Sequence, residues 1–173
     1  MKPRIALTGG IACGKSLLAR YLNELGVETI DADDVVHELV PEEERLRIAD
    51  EVFRNPEKRK ELEARLHPLV RARLAVFASQ PSPLRIEIIP LLFECHWETD
   101  YDIIICVSSP RHLQVKRLTS LRGYTEDQAE ARLAAQLPVN EKAARSDYVI
   151  VNDGSVETLK DEAQKLVKWL KGR

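Results

Sequence analysis

Five short apolar runs are set among longer stretches with a helical spacing of hydrophobic residues. Arg4–Thr8, Val27–Ile30, Leu84–Ile89, Asp102–Val107 and Tyr148–Val151 are too short for helices and nearly continuous in Ile, Val and Leu. Such runs predict strands of a parallel sheet covered on both faces. Between them the spacing predicts helices over 15–25, 33–40, 42–53, 56–66, 68–79, 110–120, 125–136 and 155–171. In the last of these Val156, Leu159, Ala163, Leu166, Val167 and Leu170 share one face, a stripe that packs on a core. Thr125 and Gln128 form a capping box. Pro68 is expected to open a new helix and to push His67 out of helical geometry. Alternating strands and helices imply a three-layer, doubly wound α/β fold with a parallel five-stranded sheet, its ligands beyond the carboxyl ends of the strands. The strandless stretches, 38–83 and 111–145, read as helical covers inserted into a core of 1–37, 84–110 and 146–173.

Composition narrows the class. The 173 residues suit one domain, with 44% apolar and 31% charged residues and a net charge of −2. No global basic field points to nucleic acid or an anionic membrane, and no apolar run approaches the length of a membrane span. Cys13, Cys95 and Cys106 form neither a CxxC pair nor a zinc pattern. Together with the absence of a leader-like start, this gives a cytoplasmic protein as the expectation, without disulfides. We expect a monomer acting on a small molecule.

The chemistry is concentrated after the first run. Gly9-Gly10-Ile11-Ala12-Cys13-Gly14-Lys15-Ser16 satisfies G-x-x-x-x-G-K-[ST] between a strand and a helix, the context this phosphate-binding motif requires. Its glycines let successive N–H groups face an anion, and the following helix adds its positive end. A chance match in a chain of this composition arises roughly once in a hundred such chains or less. Gly9 through Ser16, with Leu17, are therefore candidates to hold ATP. Lys15 would reach the β- and γ-phosphates, and Ser16 would ligate Mg²⁺. Cys13 reads as a small loop residue.

The second run leads into Asp31-Ala32-Asp33-Asp34. In extended chain Asp31 and Asp33 project to the same side. A carboxylate there could accept the proton of an acceptor hydroxyl, or Asp33 or Asp34 could simply cap the next helix.

Six segments occur in the order found in dephospho-coenzyme A kinases: LTGGIACGKS from Leu7, IDADDVVHELV from Ile30, LEARLHPLVR from Leu62, IIPLLFE from Ile88, ARLAAQ from Ala131 and SDYVIVNDGS from Ser146. The chain resembles that family across residues 7–155. The resemblance implies a P-loop kinase fold with helical acceptor-binding and lid insertions. It also implies transfer of the ATP γ-phosphate to the ribose 3′-hydroxyl of dephospho-CoA. It places Asp33 at the catalytic base, with Thr8, Asp31, His67, Pro90, Leu91 and Glu94 toward the acceptor. Lys116, Arg117, Arg122 and Arg132 fall in the lid. Arg117 and Arg132 are the choices to stabilise the transferring phosphoryl group with Lys15. Asn152 opens a turn that borders the adenine in related kinases.

Two departures stand out. Leu39–Glu51 is shorter than the family's usual stretch and carries no glycine. The position two before Pro90, acidic in many members, is Ile88, with Glu87 on the opposite face of the strand. Other readings are a small P-loop kinase acting on a nucleoside monophosphate or shikimate, and a nucleotide-binding regulator without catalysis. The Gly-Gly-Gly segment of shikimate kinases has no counterpart near Pro90 in this chain, and the regulator reading leaves Asp33 without a purpose.

Overall fold

The computed structural model describes residues 3–43 and 55–173. The expected helix over 42–53 and most of Leu39–Glu51 lie outside the described residues. Contacts along the chain divide it into two compact units, Met1–Thr29 with Ser82–Arg173, and Ile30–Pro81.

Among the described residues five strands form one sheet: β1 (Ile5–Gly9), β2 (Glu28–Asp31), β3 (Arg85–Ile88), β4 (Ile103–Ser108) and β5 (Tyr148–Val151), in the order β2-β3-β1-β4-β5. The pairings of β1 with β3, β1 with β4 and β4 with β5 are parallel. Each strand falls within one residue of the run that predicted it.

β1 is central and wholly buried. Its register sets Leu7 beside Ile88 and Gly9 beside Val107. The sequence expects every strand to be covered on both faces, whereas β5 leaves Val149 and Val151 exposed. β5 is an edge, and only its Ile150 enters the core.

Helix α1 (Lys15–Glu24) buries Leu18, Ala19, Tyr21 and Leu22 in that core. The last helix, Val156–Lys171, buries Leu159, Ala163, Leu166, Val167 and Leu170 in the same cluster, and Ser155 caps it. These are five of the six stripe residues; Val156 is exposed. Each fully buried aliphatic side chain in this layer contributes about 1.5–3 kcal/mol.

The second unit contains α2 (Ala32–Leu39) and α3 (Pro56–Ser79). α3 corrects one expectation: it runs unbroken for 24 residues with Pro68 inside it. Proline removes one helical hydrogen bond. Leu66, Val70 and Leu74, buried at four-residue spacing on both sides of it, keep one apolar face continuous. Arg73 and Glu38 link α3 to α2 at 3.9 Å.

After β4 follow α4 (Arg111–Arg122), α5 (Glu126–Ala134) and α6 (Val139–Ala144), before the last helix, α7 (Val156–Lys171). The capping box at Thr125 and Gln128 is present. α6, six residues long, has no counterpart in the sequence reading.

Candidate active site

Glycine is required in the loop after β1 for steric reasons. A Cβ on Gly9 would stand 2.3 Å from the Val107 carbonyl oxygen of β4, and Gly9 has φ 151°. On Gly10 it would meet Gln114 Nε2 at 2.6 Å, and on Gly14 (φ 98°) Asn152 Nδ2 at 2.4 Å. Ala12 adopts φ 57°, a left-handed conformation that costs a non-glycine residue of order 1 kcal/mol.

The loop holds this shape because its carbonyls are claimed from outside. Ile11 O accepts from Gln114 Nε2 at 2.8 Å, Ala12 O from Arg117 Nη1 at 3.2 Å and Cys13 O from Asn152 Nδ2 at 2.9 Å. In a trans peptide the carbonyl and the next N–H point in opposite directions. The N–H groups of Ala12, Cys13 and Gly14 are therefore turned away from those three side chains, although Cys13 N–H makes a 3.3 Å bond to Gly10 O. Lys15 Nζ donates to Gly9 O and Gly10 O at 3.1 and 2.8 Å. Ser16 is exposed in the first turn of α1 and Leu17 is half-buried. Burial raises the Cys13 thiol, only partly opposed by Lys15, which agrees with an inert loop residue. Burial likewise pushes Cys106 up to about 12.

Asn152 and Arg117 thus brace the loop from β5 and α4. Arg117 also donates to Ser109 Oγ at 2.8 Å and Asn152 O at 3.0 Å. Three of the five guanidinium N–H donors are used among the described residues. Arg132 is exposed on α5 and lies over the Tyr124 ring at 4.3 Å.

A second cluster lies at the end of β3. Pro90 O accepts from the buried Thr8 hydroxyl at 3.3 Å and from Lys142 Nζ at 2.8 Å. Lys142 is completely buried and pairs with Glu94 Oε1 at 2.7 Å, which also accepts from Leu137 N–H at 3.0 Å. Leu91 is half-buried in the same turn, whereas Leu92 and Phe93 are core. Glu87 is committed elsewhere. It takes both Arg4 nitrogens, at 3.0 and 2.8 Å, and the Tyr101 hydroxyl at 2.6 Å, beside the start of β1 and at the opposite end of that strand from Gly9. Ile88 is buried in the main core.

Hydrogen bonds therefore join Thr8, the loop, Pro90, Glu94, Arg117 and Asn152 within the first unit. Asp31, Asp33 and His67 belong to the second. There the cap falls to Asp31, whose Oδ1 accepts from Asp33 N–H at 2.9 Å. The Asp33 side chain is exposed at the start of α2, and His67 is half-buried on α3. Sequence reasoning missed Gln114, Gln136 and Lys142. A lone Lys within Asn-Glu-Lys-Ala-Ala, or Gln on a polar helix, carries the signal of a solvated face, and only the fold supplies the buried partner.

Beside Gly10 opens a cavity of about 620 Å³, bordered by Ser109, Arg111, Gln114, Gln136 and Val139, within the range that small-molecule ligands occupy. Among the described residues no group of three His, Cys, Asp or Glu side chains is placed to hold a metal ion. No described helix is long and apolar enough to cross a membrane.

Residues 4–47 and 42–158 match the family model for dephospho-CoA kinase. The dephospho-CoA kinase of Anaeromyxobacter dehalogenans is 38% identical over 194 residues, covering 97% of this chain and 92% of its own. That of Thermosynechococcus vestitus is 37% identical over 180 residues, covering 90% and 89%. The solved dephospho-CoA kinase from Campylobacter jejuni superposes with a TM-score of 0.73 at 28% identity, covering 99% of both chains. With a nucleotide-type loop on a parallel sheet and relatives of this similarity over nearly its whole length, the chain belongs to the dephospho-CoA kinase family.

Proposed function

We propose that the protein is a dephospho-CoA kinase, transferring the γ-phosphate of ATP to the ribose 3′-hydroxyl of dephospho-CoA. The observation that carries this reading is the loop Gly9–Ser16: side chains are excluded at its three glycines, and its carbonyls at 11–13 are tied outward. Such a loop offers N–H groups and a helix start to a polyphosphate. Family membership supplies the acceptor.

Lys15 gives up its two loop carbonyls for the β- and γ-phosphates, exchanging neutral acceptors for charged ones. Ser16 would hold Mg²⁺, which when bound would neutralise charge on the phosphates. Asp33, next to the Asp31 cap, accepts the hydroxyl proton. Arg117 and Arg132, the latter by leaving Tyr124, stabilise charge on the phosphoryl oxygens. Asn152 fixes the loop beside the adenine site. Thr8, Asp31, His67, Pro90, Leu91 and Glu94 shape the acceptor side, with Glu94 acting through the Lys142 pair. In this reading 38–83 forms the acceptor insertion and 111–145 the lid of a single cytoplasmic, monomeric kinase. ADP release should require dephospho-CoA in a panel that includes adenylate and shikimate. Turnover with either of those and none with dephospho-CoA would refute the assignment.

A further inference from the structure

Two glutamines from the stretch after β4 grip one residue of the phosphate loop. Gln114, 3% exposed on α4, donates to the Ile11 carbonyl at 2.8 Å, and Gln136 Oε1 accepts from the Ile11 N–H at 3.1 Å. Gln136 stands just beyond α5, and its neighbour Leu137 donates its N–H to Glu94 at 3.0 Å. Two consecutive residues are therefore pinned, one to the loop after β1 and one to the turn after β3. The Glu94 anchor is itself paired with the buried Lys142. Arg132 lies about one helical turn before Gln136. Between these points Leu118, Ala129 and Leu133 form a small buried cluster on which Ile11 and Ala12 pack. Ala12, in its left-handed conformation, depends on its neighbouring peptides being held.

We propose that Gln136 is a positioning residue: by accepting from Ile11 N–H, it holds the nucleotide loop in register with the base of the α4–α5 pair that carries Arg132. A neutral acceptor of this length suits the task. A carboxylate would set a negative charge beside a triphosphate. The inference rests on reading Gly9–Ser16 as the nucleotide site.

The test compares wild type, Gln136→Leu, Gln114→Leu and the double variant. It measures calorimetric affinity for a non-hydrolysable ATP analogue with Mg²⁺, amide exchange at Ile11 without nucleotide, and the thermal midpoint. Losing one tether should weaken the analogue about 10-fold and speed Ile11 exchange by a similar factor. The midpoint of Gln136→Leu should hold within about 3 °C. Because both glutamines act on one residue, the double variant should lose no more than about 3-fold beyond the worse single. Unchanged Ile11 exchange in Gln136→Leu would overturn the tether. Unchanged affinity with a lowered midpoint, or a double variant losing the full product of the singles, would overturn the positioning role. If wild type binds no analogue, the nucleotide-site reading fails, while the exchange measurement still decides the tether.

Discussion

Lys142 carries a charge that the fold has removed from water, so replacing it with Met should be costly. Its side chain is 0% exposed, with Nζ 2.7 Å from Glu94 Oε1 and 2.8 Å from Pro90 O. In Lys142→Met, Glu94 keeps only the Leu137 N–H; its Oε2 already has no partner among the described residues. Breaking a buried pair by removing one partner costs about 3–5 kcal/mol. The Glu94 side chain is 22% exposed as a whole although its Oε2 is buried; at the lower end of that range we expect about 3 kcal/mol. For a protein of this size that lowers the thermal midpoint by about 6–12 °C. Adding Glu94→Gln removes the stranded charge while keeping an acceptor for Leu137, and should restore at least about half of the loss. Urea unfolding followed by the fluorescence of Trp97 and Trp169 measures all four proteins. A Lys142→Met variant within about 0.5 kcal/mol of wild type, or a double variant equal to the sum of the singles, would refute the reasoning.

Gly9→Ala would place a methyl 2.3 Å from a backbone oxygen of the central sheet, and we expect a loss of about 2–4 kcal/mol in chemical unfolding. Arg117→Met removes bonds to Ala12, Ser109 and Asn152; calorimetry should find ATP binding weaker by roughly 10- to 100-fold. Asp33→Asn should bind ATP within about 3-fold of wild type while turnover falls by about 100-fold or more, and near-normal turnover would remove Asp33 from the base role. Cys106 is raised by burial from 9.0 to about 12. Between those values the unfolded chain releases a proton that the native chain keeps, so stability is full below pH 9 and declines above it. Cys106→Ala should show a shallower decline in unfolding free energy between pH 9 and 11.

The loop was legible because its constraint is local. Gly9, Gly10 and Gly14 are fixed by backbone geometry and close approach, and these leave a mark in the sequence at fixed spacing. The strands were legible because Ile and Val runs of that length have few other uses in a covered sheet. Pro68 misled because its penalty, a lost hydrogen bond and a ring clash with the preceding turn, is local, while the Leu66, Val70 and Leu74 face that outweighs it is tertiary. The cap on α2 was open in the sequence between base and cap roles for Asp33. The extended backbone at Asp31 (φ −103°, ψ 127°) assigns the cap there. Lys142, Gln114 and Gln136 were silent, since the Pro90 carbonyl and Glu94, or the peptides of Ile11, become their partners only when β1, β3 and α4–α6 are assembled.

The identity of the acceptor separates a dephospho-CoA kinase from every other small kinase. Incubating the purified protein with ATP, Mg²⁺ and dephospho-CoA, and identifying the product by phosphorus NMR, tests it directly. Coenzyme A, with its phosphate on the ribose 3′-oxygen, is the expected product, and one ADP forms for each molecule made. ADP formed at the same rate without dephospho-CoA, or dephospho-CoA recovered unchanged while another alcohol is phosphorylated, would contradict it.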